Sequence, residues 1–194
     1  MKKTYLKSVC VIAVMGAVSF VLMLLEFPLP FIIPAFIKFD FSELPALITA
    51  FALNPLCGVA VCLIKNLLHL FVTSSAGVGE LSNFVLGSVF VLVAGYIYRF
   101  NKTKSGAFIG AVAGSLAMAV ISIASNYYVV YPAYTVIYGM PMEAIIGMYK
   151  AILPFSDTLI KDLVIFNLPF TFIKGVADSA ICFLLYKKIS PILK

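Results

Sequence analysis

The chain has 194 residues, 63% of them hydrophobic, with a mean hydropathy of +1.11 and only 11% charged, against roughly 25% charged in a soluble domain. That composition excludes a soluble globular protein and predicts one all-α integral membrane domain over residues 1–194, embedded in a lipid bilayer. The net charge of +6 does not point to nucleic acid, because Lys2, Lys3, Lys7, Arg99, Lys102, Lys104, Lys187, Lys188 and Lys194 gather at the ends of apolar segments, away from the acids (Asp157 included), as in cytoplasm-facing loops.

The first predicted helix covers roughly Tyr5 to Leu25, about the 20 residues needed to cross a bilayer. Its basic flank resembles a signal peptide. The apolar run is long, however, and Glu26-Phe27-Pro28 is a poor cleavage site, so a retained helix is expected. Ala13 and Ala17 lie four apart, with Gly16 and Ser19 beside them. Small residues at that spacing let another helix approach closely, inside the bundle or on a partner.

Residues 27–42 follow. Pro28, Pro30 and Pro34 forbid a continuous helix, yet the segment is greasy and aromatic, which predicts a lid lying over the bundle. Ser42 is expected to N-cap the next helix, with Pro45 tolerated in its first turn. The second helix, about Glu43 to Leu53, is short and ends at Asn54-Pro55. The third, about Leu56 to Thr73, carries Lys65 and His69 on one face.

A Gly/Ser loop from Thr73 to Glu80 leads to a fourth helix, about Leu81 to Tyr98. The fifth, about Ala107 to Val130, follows the basic loop Asn101 to Gly106, and Gly106, Gly110 and Gly114 form a packing face at spacing four. Residues 131–162 read as an outer connection with one or two short interfacial helices. The sixth helix is expected to run to Lys188, either from Asn167 as cap or from an earlier start with a kink there. Six transmembrane helices with both termini cytoplasmic and the long loop after the first helix outside satisfy the charge rule.

Lys174 sits inside the last apolar run, where an ammonium costs roughly 2.5–3.5 kcal/mol on insertion scales. It needs a partner, water or a ligand. Asp178, one turn on, is one possible ion-pair partner. In the predicted topology Lys65, His69, Asn83, Asn126, Thr171 and Lys174 share the outer half of the bundle, and the inner half holds little polar besides Asp178. A proton relay needs polar groups along the whole path. This set instead predicts an outward pocket for a flat, aromatic ligand with amide-like edges. His69 reads as a satisfied packing residue, and the four cysteines as packing residues. No phosphate-binding glycine loop, nucleophile elbow or zinc motif is present, so the chain is expected to be a binder and not an enzyme, with no metal and no cofactor, dependent on an energised partner.

Three stretches carry a resemblance: Phe39-Asp40-Phe41-Ser42-Glu43-Leu44-Pro45 with Gly58 and Ile64-Lys65-Asn66; Ser125-Asn126-Tyr127 with Pro132-Ala133-Tyr134; and Pro169 to Gly175, with Asn83-Phe84 and Gly87 in addition. In order and spacing they resemble the riboflavin-specific substrate-binding subunit (S component) of energy-coupling factor (ECF) transporters across nearly the whole chain. The resemblance implies riboflavin as transported ligand, a transmembrane coupling subunit and two cytoplasmic ATPases as partners, and the bacterial cell membrane as location. It implies ligand contacts by Asn126, Lys174 and Thr171, where the family often has Asn in place of Thr171. Further contacts are expected from Asn83, Gly79, Asp40 and Lys65, with aromatic packing by Phe39 and Tyr131. Ala13, Gly16 and Ala17 match the family's docking face. The alternatives are another vitamin or a flavin nucleotide (thiamin, FMN) on the same scaffold, or a small membrane enzyme acting on lipid or isoprenoid substrates.

Overall fold

The computed structural model describes residues 2–155 and 158–193; Asp157 and Lys194 lie outside the described residues. The helices are α1 (Lys2–Leu24), α2 (Glu43–Ala52), α3 (Pro55–His69), α4 (Val78–Phe100), α5 (Lys104–Ser125), α6 (Tyr131–Ile137), α7 (Met142–Lys150), α8 (Leu159–Asp162) and α9 (Leu168–Leu193). Five segments, Leu6–Leu24, Pro55–Val72, Val78–Phe100, Lys104–Ile137 and Leu159–Ile189, are long and apolar enough to cross a membrane. The chain is a multi-pass membrane protein.

The second of the six expected helices is a special case. With 10 residues, α2 reaches only about 15 Å, half a bilayer. Glu43 to Phe51 are all buried, as expected of a helix that is apolar on every side. It folds back on α3 through Asn54, whose side chain accepts from the Cys57 amide at 3.1 Å, while Pro55 occupies the first turn. The small residues of α5 act as their spacing predicts. A Cβ on Gly110 would lie 2.6 Å from the Ala94 carbonyl oxygen, and one on Gly114 2.7 Å from that of Phe90, so α4 and α5 pack backbone to backbone.

One boundary differs from expectation, and a second follows the alternative of an earlier start. The fifth helix does not stop at Val130 but passes through a π-helical turn, Asn126–Val130, straight into α6. The last begins at α8 and passes through a second π turn, Leu163–Asn167, into α9. Each turn ends two residues before a proline, Pro132 or Pro169. A proline removes one amide and clashes with the preceding turn of an α-helix; the wider π turn lets the helix continue past it. Asn167 is therefore inside the helix and buried, not a cap.

Ser42 is also not a side-chain cap, since its hydroxyl accepts from no amide of α2's first turn and instead donates to the Glu43 carboxylate at 2.9 Å. Asp40 takes part of that role, accepting from the Ser42 amide at 2.8 Å. The proline-rich segment forms a two-residue antiparallel ladder between β1 (Phe27–Pro28) and β2 (Lys38–Phe39), with Phe27 opposite Phe39. Glu26 and Lys38 pair beside it. Ile33, fully buried, plugs this loop into an apolar cluster with Tyr131, Ile145, Tyr149, Leu163 and Phe170.

Candidate ligand site beneath the proline-rich loop

The site is floored by ions. Lys174 of α9 donates to Asp40 at 2.8 Å and lies 3.8 Å from Glu43. Lys65 of α3 pairs with Glu43 at 2.7 Å and donates to the Ser42 hydroxyl at 2.6 Å. Removing such charges from water costs several kcal/mol per ion, and only close pairing and further hydrogen bonds repay it. Asp40 lies in the loop, outside the spanning helices. Burial alone would raise its carboxyl, but the Lys174 ammonium and, at longer range, Lys65, together with hydrogen bonds from Lys174 and Ser42, hold it at about 2.

Asp178, the expected alternative partner of Lys174, makes no side-chain hydrogen bond among the described residues and is fully buried. The reason is directional. Helical side chains lean toward the N-terminus, so Lys174 reaches toward the loop and away from the residue one turn later. A basic residue placed N-terminal to an acid at this spacing is also the weaker order.

Above the ions are two adjoining chambers, of about 350 and about 150 Å³. They share Phe36, Lys38, Gly79, Asn83 and Tyr134. The larger is the mouth, bordered by Glu26, Asp40, His69, Ser75 and Glu80. The smaller runs deeper, bordered by Asn126, Asn167, Phe170, Thr171 and Lys174. Phe36, Ile37 and Lys38 of the proline-rich loop form part of its wall, so the segment covers this space as a lid would. Asn126 and Thr171 make no side-chain hydrogen bond among the described residues, and the buried Asn83 Oδ1 lacks a partner. Three helical segments thus present uncommitted polar groups to one chamber.

The structure therefore brings Asn83, Gly79, Asp40, Asn126, Thr171 and Lys174 to these chambers. Three expected residues are elsewhere. Lys65 is consumed by Glu43 and Ser42 beneath the floor and borders neither chamber. Phe39 stands behind the wall, its ring 5.8 Å from Phe170. Tyr131 is fully buried in a polar triad, where the Tyr149 hydroxyl donates to Asn167 Oδ1 at 2.6 Å, Asn167 Nδ2 donates to the Tyr131 hydroxyl at 3.3 Å, and the two hydroxyls bond each other. Burial, then the neighbouring Tyr131, raises the Tyr149 phenol, which stays protonated. His69 pairs with Glu80, Nδ1 to Oε1, at 2.8 Å.

Residues 7–186 match the family described as "ECF transporter, substrate-specific component". The chain belongs to this family. Curated relatives include the Bacillus subtilis (strain 168) "Riboflavin transporter FmnP", 33% identical over 189 residues, 95% of this chain and 93% of the relative. The Staphylococcus aureus (strain TCH60) "Riboflavin transporter RibU" is 30% identical over 188 residues, 97% and 93% of the two chains. A solved chain from "Structure and mechanism of the S component of a bacterial ECF transporter" superposes with a TM-score of 0.75 at 30% identity, covering 97% of this chain and 98% of that one. This S component is a transporter subunit and not an enzyme.

Sequence reasoning missed Glu43, Tyr149 and Asn167 as site-building residues. Glu43 carried a signal, an acid at the head of an entirely apolar helix. Tyr149 carried none, because nothing local ties residues 142–150 to α9. On α1, Ala13 and Ala17 lie exposed with Val14 and Val18. Gly16 does not share that face. It is buried, and a Cβ there would lie 2.6 Å from Ile64 Cγ2 of α3, so its small size serves the packing of α1 on α3.

Proposed function

We propose that this S component binds riboflavin in the two chambers, taking it from outside the cell. It then delivers the vitamin through a transmembrane coupling subunit driven by two cytoplasmic ATPases. The observation that carries the reading is the set of uncommitted polar groups, Asn83, Asn126 and Thr171, around one chamber walled by Phe36 and Phe170 and floored by Lys174. Amides can donate and accept together, as the pyrimidine edge and ribityl chain of a flavin require, while aromatic rings pack on its flat system. The larger chamber, about 350 Å³, falls within the usual size of small-molecule sites, and the smaller, about 150 Å³, extends it. The names of the relatives, riboflavin transporters, support the same ligand.

In this reading the basic ends face the cytoplasm, and the lid opens outward from the cell membrane. The exposed small-residue face of α1 at Ala13 and Ala17 docks on the coupling subunit, and the 194 residues act as one binding unit. Lys38 and Lys65, the basic residues that a flavin nucleotide's phosphate would require, are engaged by Glu26 and Glu43, which favours the unphosphorylated vitamin. Purified protein titrated with riboflavin should quench flavin fluorescence at sub-micromolar ligand, about −8 kcal/mol or better. Binding of thiamin with no response to riboflavin would overturn the ligand and leave the family untouched.

A further inference from the structure

The second large opening lies at the other end of α4 and α9, away from the lid. It is a groove of about 440 Å³ between the end of α2, the α4–α5 connection and the end of α9. Its walls include Phe51, Phe108 and Phe183, and its rim carries Lys102, Lys104 and Lys187. Among the described residues no acid borders it and none of these three lysines has an ion-pair or hydrogen-bond partner. The Tyr186 hydroxyl, from another wall residue, is buried without a partner among the described residues. Phe108 is 61% exposed, so the apolar wall continues onto the outer, lipid-facing side of α5.

We propose that this groove binds one anionic phospholipid, its phosphate held by Lys102, Lys104 and Lys187 and its acyl chains running down the apolar wall along Phe108. Position, charge and shape agree. The groove sits where apolar spans end, at headgroup level, and tyrosines such as Tyr98 and Tyr186 belong at that depth. Basic clefts between spanning helices are suited to anionic headgroups. A free phosphate would use the rim and leave the apolar walls wet. A zwitterionic lipid would bring its own cation to a rim that already holds three. The site is separate from the chambers under the lid and does not depend on what they bind.

The test is native mass spectrometry of the full chain in neutral detergent, offered equal phosphatidylglycerol and phosphatidylcholine. The protein should retain phosphatidylglycerol by at least about five-fold over phosphatidylcholine. The variant K102Q/K104Q/K187Q should bring that ratio near one. Ala107→Trp, which fills the groove without changing its charge, should do the same. K7Q/K188Q, which removes basic residues outside the groove, should keep the preference. Equal retention of both lipids by the unmodified protein would overturn the site. So would loss of preference in K7Q/K188Q as large as in the triple variant, since that is a diffuse field, or retention of preference in both groove variants. If inorganic phosphate alone raises the melting temperature as far as phosphatidylglycerol does, the occupant is a small anion and the lipid proposal fails.

Discussion

Lys174 and Asp40 are 134 positions apart in the chain and 2.8 Å apart in space. One sits on the last helix, the other at the foot of the proline-rich loop, and the same ammonium borders the inner chamber. The tie that anchors the loop and the wall of the inner chamber therefore share one cation. Any ligand group that bonds Lys174 competes with the tie that holds the loop down.

Lys174→Met should lower both stability and riboflavin affinity. Removing one partner of a buried pair costs about 3–5 kcal/mol, read as a lower thermal midpoint in detergent. Adding Asp40→Asn should restore part of the stability and none of the affinity. Unchanged affinity in Lys174→Met would limit this lysine to the ion pair.

Asp40 predicts an acid limb. Its carboxyl is held at about 2, below its ordinary 3.8, so the folded state favours the ionised form. The stability this group contributes is fully present above about pH 4 and is lost as pH falls toward 2. Thermal melts should show no pH dependence from it between about pH 5 and 8 and a decline below pH 4. Asp40→Asn should be less stable at neutral pH and show a shallower decline. An equally steep limb in that variant would assign the loss to another group.

Tyr149→Phe removes the donor to Asn167 Oδ1 and leaves a buried acceptor short of a partner, a cost of about 1–3 kcal/mol. Because Asn167 also borders the inner chamber, riboflavin affinity should fall with stability. Titration and melting of the same sample measure both, and full affinity would detach the triad from the site.

Glycine substitutions should separate close helix contacts from open surface. Gly110→Ala and Gly114→Ala drive a methyl to within 2.7 Å of a carbonyl oxygen on α4 and should each cost about 1–3 kcal/mol, as overpacking does. Gly147→Ala, with nothing within 4 Å, should be neutral or slightly stabilising. Thermal midpoints of the three variants give the comparison directly.

The α1 face makes a functional prediction. A13W/A17W places bulk on an exposed surface, so riboflavin binding should persist while co-purification with the coupling subunit and uptake into vesicles are lost. Gly16→Ala should instead destabilise the bundle through Ile64. Uptake unaffected by the tryptophans would move the docking surface elsewhere.

Much of this protein was legible in its sequence because the signals are local. Hydropathy marks the spans, Pro28, Pro30 and Pro34 mark the lid, and the small residues at 106, 110 and 114 mark a close face on α5. Even the convergence of Asn83, Asn126, Thr171 and Lys174 follows from counting depth along helices. Pro132 and Pro169 were visible too, but whether a proline ends a helix or is passed by a π turn depends on what the flanking segment packs against. The end of the fifth helix was accordingly misplaced, while the short helices between the fifth and last spans were expected.

Composition, the membrane-spanning character of the long helices and the need for compensation at Lys174 were determined by the sequence alone, since each rests on transfer from water to hydrocarbon. The compensating partner was decided by tertiary structure. Asp178 is the nearer acid in sequence, yet Asp40 and Glu43 hold the charges, because α2 and the lid loop pack against the side of α9 toward which Lys174 leans. Lys65 was likewise a ligand candidate by depth and became a structural ion once Glu43 was brought to 2.7 Å. In a low-dielectric interior an ion pair forms with whichever opposite charge the packing brings within about 4 Å, and separation along the chain does not set that distance.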